Sequence, residues 1–272
     1  MTTSDDPRAE RPAVALSIAG LDPSGGAGLV ADARTFSAMG VFPMCVAATV
    51  TYQNTLGLKG RYDLPPEVVW GQLEALFEDR KPDAVKTGAL GSARVVTEVA
   101  RFLGDHLAGP LVVDPVLFSE SGGRLFDEGA AGALRELLLP RAALLTPNVS
   151  EAAVLTGIEV WTLAEMEAAA ERLLNMGAVA VLVTGGRLEE DGVTVAVDVY
   201  SDPDGTEVLR SPWLEGQSVH GTGCVLSAAI TAALATGRTM KEAVASGRAF
   251  VRRAMQCAVR PGAGSPCANP NP

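Results

Sequence analysis

His220-Gly221-Thr222-Gly223-Cys224 runs without a break into the apolar, alanine-rich stretch from Val225 to Ala235. Glycines at that spacing before a helix-forming segment leave backbone N–H groups facing a small concavity at the positive end of the helix dipole. Such a concavity holds an anion, and it suits a transferring phosphate. The order is not that of a Walker A sequence, so a P-loop mechanism is not supported. Cys224 has two readings at this stage: a base at a helix N-terminus, where a thiol pKa can be depressed, or a small buried hydrophobe.

Further polar groups stand where strands run out. Gly20-Leu21-Asp22-Pro23-Ser24-Gly25-Gly26-Ala27-Gly28 is a glycine-rich loop entering a helix. It serves either close packing or a ligand, and the Asp22 carboxylate favours the ligand because it can grip a hydroxyl or an amine. Thr51-Tyr52-Gln53-Asn54-Thr55 offers amide donors and acceptors to a heteroaromatic ring, or is an ordinary polar loop. Asp114, in Val113-Asp114-Pro115-Val116, and Asn148 with Glu151 suit a hydrated magnesium ion beside a nucleotide. Asn148-x-x-Glu151 equally satisfies a helix capping box. The last such place is the Thr184-Gly185-Gly186 turn.

These groups need a scaffold that brings strand ends together. Short apolar runs (Ala13 to Ala19, Met44 to Thr51, Ala84 to Thr87, Leu111 to Val116, Ala143 to Thr146, Val179 to Thr184) alternate with segments of helical period. That order predicts right-handed βαβ crossovers and a mostly parallel sheet covered on both faces, with ligands outside the carboxyl ends of the strands. Pro65-Pro66 ahead of Glu67 to Glu78 suits a helix start, and Thr162 with Glu165 and Thr239 with Glu242 form capping boxes. Met240, Ala243, Val244, Gly247, Phe250, Val251, Ala254 and Met255 share one face of the last helix. Val193 to Ser201 and Glu207 to Ser211, around Asp202-Pro203-Asp204-Gly205, read as an antiparallel hairpin at the sheet edge.

At 272 residues, with 47% hydrophobic and 20% charged residues, the chain has material for a large core and reads as one domain over residues 12–260. Residues 1–11 and 261–272 are expected to be disordered tails. A net charge of −10 and a pI near 4.8 give no general attraction to nucleic acid or anionic membrane. Four cysteines without C-x-x-C pairing and two histidines indicate neither zinc nor a disulfide framework, and a reducing cytosol fits.

Taken in order from about Ala13 to about Val259, these motifs, together with Val85-Lys86-Thr87-Gly88 and Thr146-Pro147, closely resemble the hydroxymethylpyrimidine/phosphomethylpyrimidine kinases of thiamin synthesis, in the ribokinase-like superfamily. The resemblance implies a three-layer α/β/α sandwich, ATP with Mg2+ as donor, a pyrimidine hydroxymethyl group as acceptor, a cytoplasmic location and a homodimer. It implies that Asp22 and Gln53 bind the pyrimidine's polar edge, with Thr51 and Ala89 against the ring. Asn148 and Glu151 would organise magnesium and the ATP phosphates with Asp114 nearby, and Thr184 and Gly186 would stand on the phosphate side. Gly221, Thr222 and Gly223 would hold the transferring group, with Cys224 where related sugar kinases place an aspartate base.

Two positions depart from the family pattern: Thr184 stands where a lysine is usual, and Ala89 where a methionine is usual. Two further functions therefore stay open. One is a pyridoxal kinase, although Pro115 to Gly123 carries Ser119 and Ser121 and lacks the lid cysteine of the cysteine-using members. The other is a catalytically weakened pyrimidine-binding homologue.

Overall fold

The computed structural model describes residues 11–119, 122–216 and 218–271. Residues 1–10 of the expected N-terminal tail lie outside them, as does Ser121.

The first strand, β1 (Val14–Leu21), is an apolar run buried along nearly its whole length, as a strand covered on both faces must be. The chain continues through α1 (Gly28–Ala38), β2 (Phe42–Asn54), β3 (Gly57–Asp63), α2 (Pro66–Asp79), β4 (Ala84–Thr87), α3 (Ala93–His106) and β5 (Leu111–Val113). After a short α4 (Ala130–Ala133) and tight turns over 134–141 come β6 (Leu144–Leu145), α5 (Val149–Thr156), α6 (Leu163–Asn175), β7 (Val181–Glu190), β8 (Val193–Asp202), β9 (Gly205–Pro212), α7 (Thr222–Ala235) and α8 (Met240–Gln256). The described strands form one sheet in the order β3-β2-β1-β4-β5-β6-β7-β8-β9. From β2 to β7 every pairing is parallel, and antiparallel strands close both edges.

Two apolar layers fix this arrangement. On one face Val69 and Leu73 of α2, Val95 and Phe102 of α3, Ala152 of α5 and Met166 of α6 pack on Leu16, Val85, Val113 and Val183 of the sheet. On the other, Leu226 and Ile230 of α7 and Val244 of α8 pack on Val112, Leu144 and Leu182, with α1 beside α7. This is the expected three-layer α/β/α sandwich. Helix α7 is buried from Val225 through Ala233, and its alanines let flanking helices come close on both sides.

The capping boxes at Thr162 and Glu165 and at Thr239 and Glu242 form as expected. The edge hairpin matches β8 and β9, with Asp202 paired to Gly205 across the turn. β3 has no counterpart in the sequence reading, because Gly-Leu-Lys-Gly-Arg-Tyr-Asp has neither alternation nor an apolar run. It is held by pairing to β2. Leu111 to Val116 is strand only to Val113, where Asp114 and Pro115 turn the chain into the cleft.

The C-terminal expectation is corrected. Residues 261–271 fold back onto the domain, with Cys267 3% and Ala268 1% exposed. Val259 and Cys267 exchange backbone hydrogen bonds of 3.0 and 2.8 Å, closing the segment into a loop. Composition marked it as a tail because Pro, Gly and Asn carry little apolar surface. Backbone bonding to other loops orders it, together with Ala268 packed among Ala31, Val225 and Phe250.

Candidate active site

The carboxyl ends of β1, β2, β4, β5, β6 and β7 open into a cleft of about 660 Å³ closed on one side by the start of α7. Asp22, Thr51, Gln53, Ala89, Asp114, Asn148, Glu151, Thr184 and residues 221–224 all line it. Of the residues expected there, Gly186 does not. A Cβ on it would meet the Met166 sulfur at 2.6 Å, so Gly186 is a packing position against α6, and Gly185 takes its place in the lining.

At one end Asp22, Gln53 and His220 converge. Gln53 Nε2 donates to Asp22 Oδ2 at 3.1 Å, and His220 Nε2 lies 3.0 Å from both that oxygen and Gln53 Nε2. Gln53 reaches inward because β2 changes register against β3 between Tyr52 and Gln53, an irregularity of the kind that re-aims side chains. Asp22 also shapes its own loop, accepting from Ser24 N and Oγ at 2.8 and 2.7 Å and from Ala27 N at 3.0 Å. Burial pushes its pKa up, but hydrogen bonds from His220 and Ser24 more than offset that and hold it below the usual carboxylate range. Asp22 is therefore ionised at neutral pH and acts as an acceptor. The part of His220 in this cluster was not read from the sequence, where it served only as the flank of the glycine loop.

The glycine loop runs directly into α7, as expected. Gly221 caps α7 with φ of 84° and lies so close to the Gly26 carbonyl that a Cβ would collide with it. Thr222 starts the helix, and a Cβ on Gly223 would meet nothing within 4 Å, so that face is open to the cleft. Cys224 is a partly exposed thiol at the cleft whose surroundings favour the neutral form. Burial, with the Asp32 and Asp114 carboxylates adding to it, pushes its thiol up to about 12 despite the nearby Lys86 cation and a backbone N–H from Gly28. Desolvation thus outweighs the helix dipole, and the thiol is neutral at physiological pH. Cys224→Ala is accordingly expected to retain kcat to within about threefold, well short of the roughly 10²–10⁴-fold loss of a general base. Iodoacetamide modification should be slow at pH 7.5 and accelerate above pH 9. A hundredfold loss of kcat in the folded alanine variant would restore the base assignment.

Behind the loop lies a charged group that sequence reasoning passed over. Lys86 is 0% exposed and donates to Asp32 Oδ1 at 2.7 Å, with Asp114 Oδ2 at 3.9 Å. Ser17 Oγ donates to Asp32 at 2.6 Å, and Ser227 Oγ of α7 donates to Asp114 at 2.6 Å. Burial lowers the lysine pKa, but Asp32, Cys224 and Asp114 outweigh it and drive the value well above the ordinary lysine range, fixing the charge. The signal was a lysine in a four-residue strand buried at every position.

Asn148 and Glu151 form the capping box that was the structural alternative for them, with bonds of 2.9 and 3.0 Å. Glu151 is also at the cleft, where burial and then the Asp114 charge push its pKa up to about 8. Thr146 Oγ, at the cleft, and Thr87 Oγ are buried without a hydrogen-bond partner among the described residues. No group of three or more His, Cys, Asp or Glu side chains among the described residues forms a metal cage. Two carboxylates and an unpartnered hydroxyl fit an ion that arrives on nucleotide phosphates and keeps its waters. Thr184 and Ala89 both line the cleft, so the two departures from the family pattern fall inside it.

A sandwich of this topology, with an open glycine loop at a helix start facing a cluster that suits a polar ring, defines a ribokinase-like small-molecule kinase. The family model for phosphomethylpyrimidine kinase matches residues 22–269, and the chain belongs to that family. It is 40% identical over 250 residues to the hydroxymethylpyrimidine/phosphomethylpyrimidine kinase of Bacillus subtilis (strain 168), covering 92% of each chain. Among solved structures, phosphomethylpyrimidine kinase from Clostridium difficile 630 superposes with a TM-score of 0.78 at 37% identity, over 89% of this chain and 99% of that one. An ADP complex of Bacillus subtilis pyridoxal kinase gives 0.86 at 32% identity, over 95% and 97%.

Proposed function

We propose that this kinase transfers the terminal phosphoryl group of ATP to the hydroxymethyl group of 4-amino-5-hydroxymethyl-2-methylpyrimidine and then to its monophosphate. The observation that carries the reading is the pairing within one cleft of the Asp22-Gln53-His220 cluster with the open backbone cradle of Gly221 to Gly223. The cluster suits a ring that presents an amino group and ring nitrogens. The ionised Asp22 accepts from the amino group, while the Gln53 amide meets the ring edge and Thr51 and Ala89 wall its faces. Small Ala89 leaves room there that the ring or its neighbours fill.

At the other end, Asn148, Glu151 and Asp114 would hold magnesium and order the ATP phosphates, and Thr184 would meet them as a neutral hydroxyl. Bound there, the ion supplies charge neutralisation of the phosphates. The N–H groups of Gly221 to Gly223 stabilise the transferring group by preorganised electrostatics, which phosphoryl transfer through a loose transition state mainly requires. With Cys224 neutral, the acceptor hydroxyl gives up its proton late, to an oxygen of the phosphoryl group it joins or to water, as ADP leaves.

Pyridoxal remains the competing acceptor, favoured by the likeness to the Bacillus subtilis pyridoxal kinase structure. Ser119, which lines the cleft, argues against an aldehyde-trapping lid cysteine. Steady-state rates of ATP consumption with the pyrimidine alcohol, its phosphate and pyridoxal decide among the readings. Turnover of the two pyrimidines well above pyridoxal is expected, and no turnover with any of them would leave a binding homologue with Thr184 as its weak point.

Gln53→Ala is expected to raise the acceptor KM, with little effect on that of ATP, by about 1–3 kcal/mol of lost polar contact. Equal effects on both substrates would put Gln53 in the scaffold. Exposed Phe42, Tyr52, Leu56 and Tyr62 on and beside the β2–β3 hairpin suit a homodimer contact, to be checked by sedimentation. No helix among the described residues is long and apolar enough to cross a membrane.

A further inference from the structure

The segment after α8 reaches three loops of the acceptor end. Gly264 N donates to Thr55 Oγ at 3.2 Å and Ser265 N to the Thr55 carbonyl at 3.0 Å, which ties it to the turn after β2. His220 N donates to the Pro266 carbonyl at 2.8 Å, and Ala268 N donates to the His220 carbonyl at 3.0 Å, so the histidine backbone is gripped on both sides. Arg34 of α1 donates to Asn269 Oδ1 at 3.0 Å and to the Gly25 carbonyl at 3.5 Å, and a Cβ on Gly26 would meet the Cys267 sulfur at 2.7 Å. The segment thereby also braces the glycine-rich loop. Ser265 contributes one wall of a side chamber of about 240 Å³, whose other walls include Gln53, Ser119, Ser218 and His220, all shared with the main cleft.

We propose that Gly262 to Asn269 is a positioning strap of the acceptor site. It fixes the His220 backbone, so that the imidazole stays 3.0 Å from Asp22 and Gln53, and it sets the distance between the two loops that enclose the ring. The hydrogen bonds described for it run to Thr55, His220, Arg34, Ala254 and Val259, and not to Asp114, Asn148, Glu151 or Thr184, the residues assigned to the nucleotide. Its contribution therefore falls first on the acceptor, and reaches the phosphate cradle only through His220, which adjoins Gly221.

This inference rests on the pyrimidine kinase reading, and its test separates the two. Wild-type turnover of the pyrimidine alcohol is measured first, and its absence would overturn the functional reading. In the active enzyme two variants are compared: a chain ending at Arg260, and Gly264→Val in the full chain, whose side chain would collide with the Thr55 carbonyl and lift the strap there. With several polar contacts displaced, the acceptor KM should rise roughly tenfold or more in each variant that folds, with that of ATP within about twofold. Gly264→Val leaves the sandwich core intact, so it decides the matter if the shortened chain does not fold. An unchanged acceptor KM, or parallel rises for both substrates, would overturn the strap. So would a Gly264→Val chain that does not fold, because contacts at Gly264 would then be needed for folding and not for positioning.

Discussion

Gly223→Asp should abolish phosphoryl transfer, lowering kcat by about 10³-fold or more, while the protein melts within a few degrees of wild type. The two halves of this expectation have separate physical grounds. A Cβ at Gly223 meets nothing within 4 Å, and the residue lies in the first turn of α7, where an acidic side chain interacts favourably with the helix dipole. The fold has no reason to object. The same carboxylate would occupy the cradle intended for the transferring phosphate and repel it. The contrast is Gly221, where the left-handed backbone and the close Gly26 carbonyl make any side chain a structural fault as well. A folded Gly223→Asp enzyme with near-normal turnover would remove this loop from the catalytic machinery.

The largest effect on stability is expected from Lys86→Met, a change of nearly constant volume that leaves Asp32 and Asp114 without their cation. Removing one partner of a buried pair costs about 3–5 kcal/mol, which urea unfolding would register as a large fall in midpoint. The pH dependence follows from the sign of the linkage. Burial already raises the Asp32 pKa against the pull of Lys86, and loss of the lysine raises it further. A carboxyl with a raised native pKa supports folding below its unfolded pKa and loses that support as pH climbs through the native value. The variant should therefore be worst off at alkaline pH and partly recover toward pH 5, and Asp32→Asn added to it should recover stability most at alkaline pH and least toward pH 5. A single variant with an unchanged urea midpoint at pH 8 would show that the lysine does not carry the charge balance of the buried group.

The sandwich and most of its site were legible in the residues because they depend on local pattern. Apolar runs such as Val14–Leu21 cannot be solvated on either face, so they require layers of helices on both sides. Glycine spacing before the helix-forming run from Val225 predicted a backbone concavity at a helix start, and α7 begins there with Gly221 as its cap. Asp22, Gln53, Asp114, Asn148 and Glu151 were placed at strand ends by the same reasoning, and the sheet brings them into one cleft.

What the pattern left open depends on distance through space. Whether Cys224 is a thiolate turns on how deeply it is buried and on Asp32 and Asp114, which the chain brings in from far away along the sequence. Asp32 and Lys86 read separately as a helix polar residue and an odd lysine in a strand. They become an ion pair only when α1 lies on β4's side of the sheet. Gly186 looked like part of a phosphate turn until the packing of α6 showed what faces it. The C-terminal segment shows the same limit: its prolines and glycines carry no apolar signal, and its order comes from backbone hydrogen bonds to Thr55 and His220 and from Ala268 packed against α1, α7 and α8. Local composition sets which elements form and which residues sit at their ends. Dielectric environment, charge pairing and loop bracing are decided by contacts between elements remote in sequence.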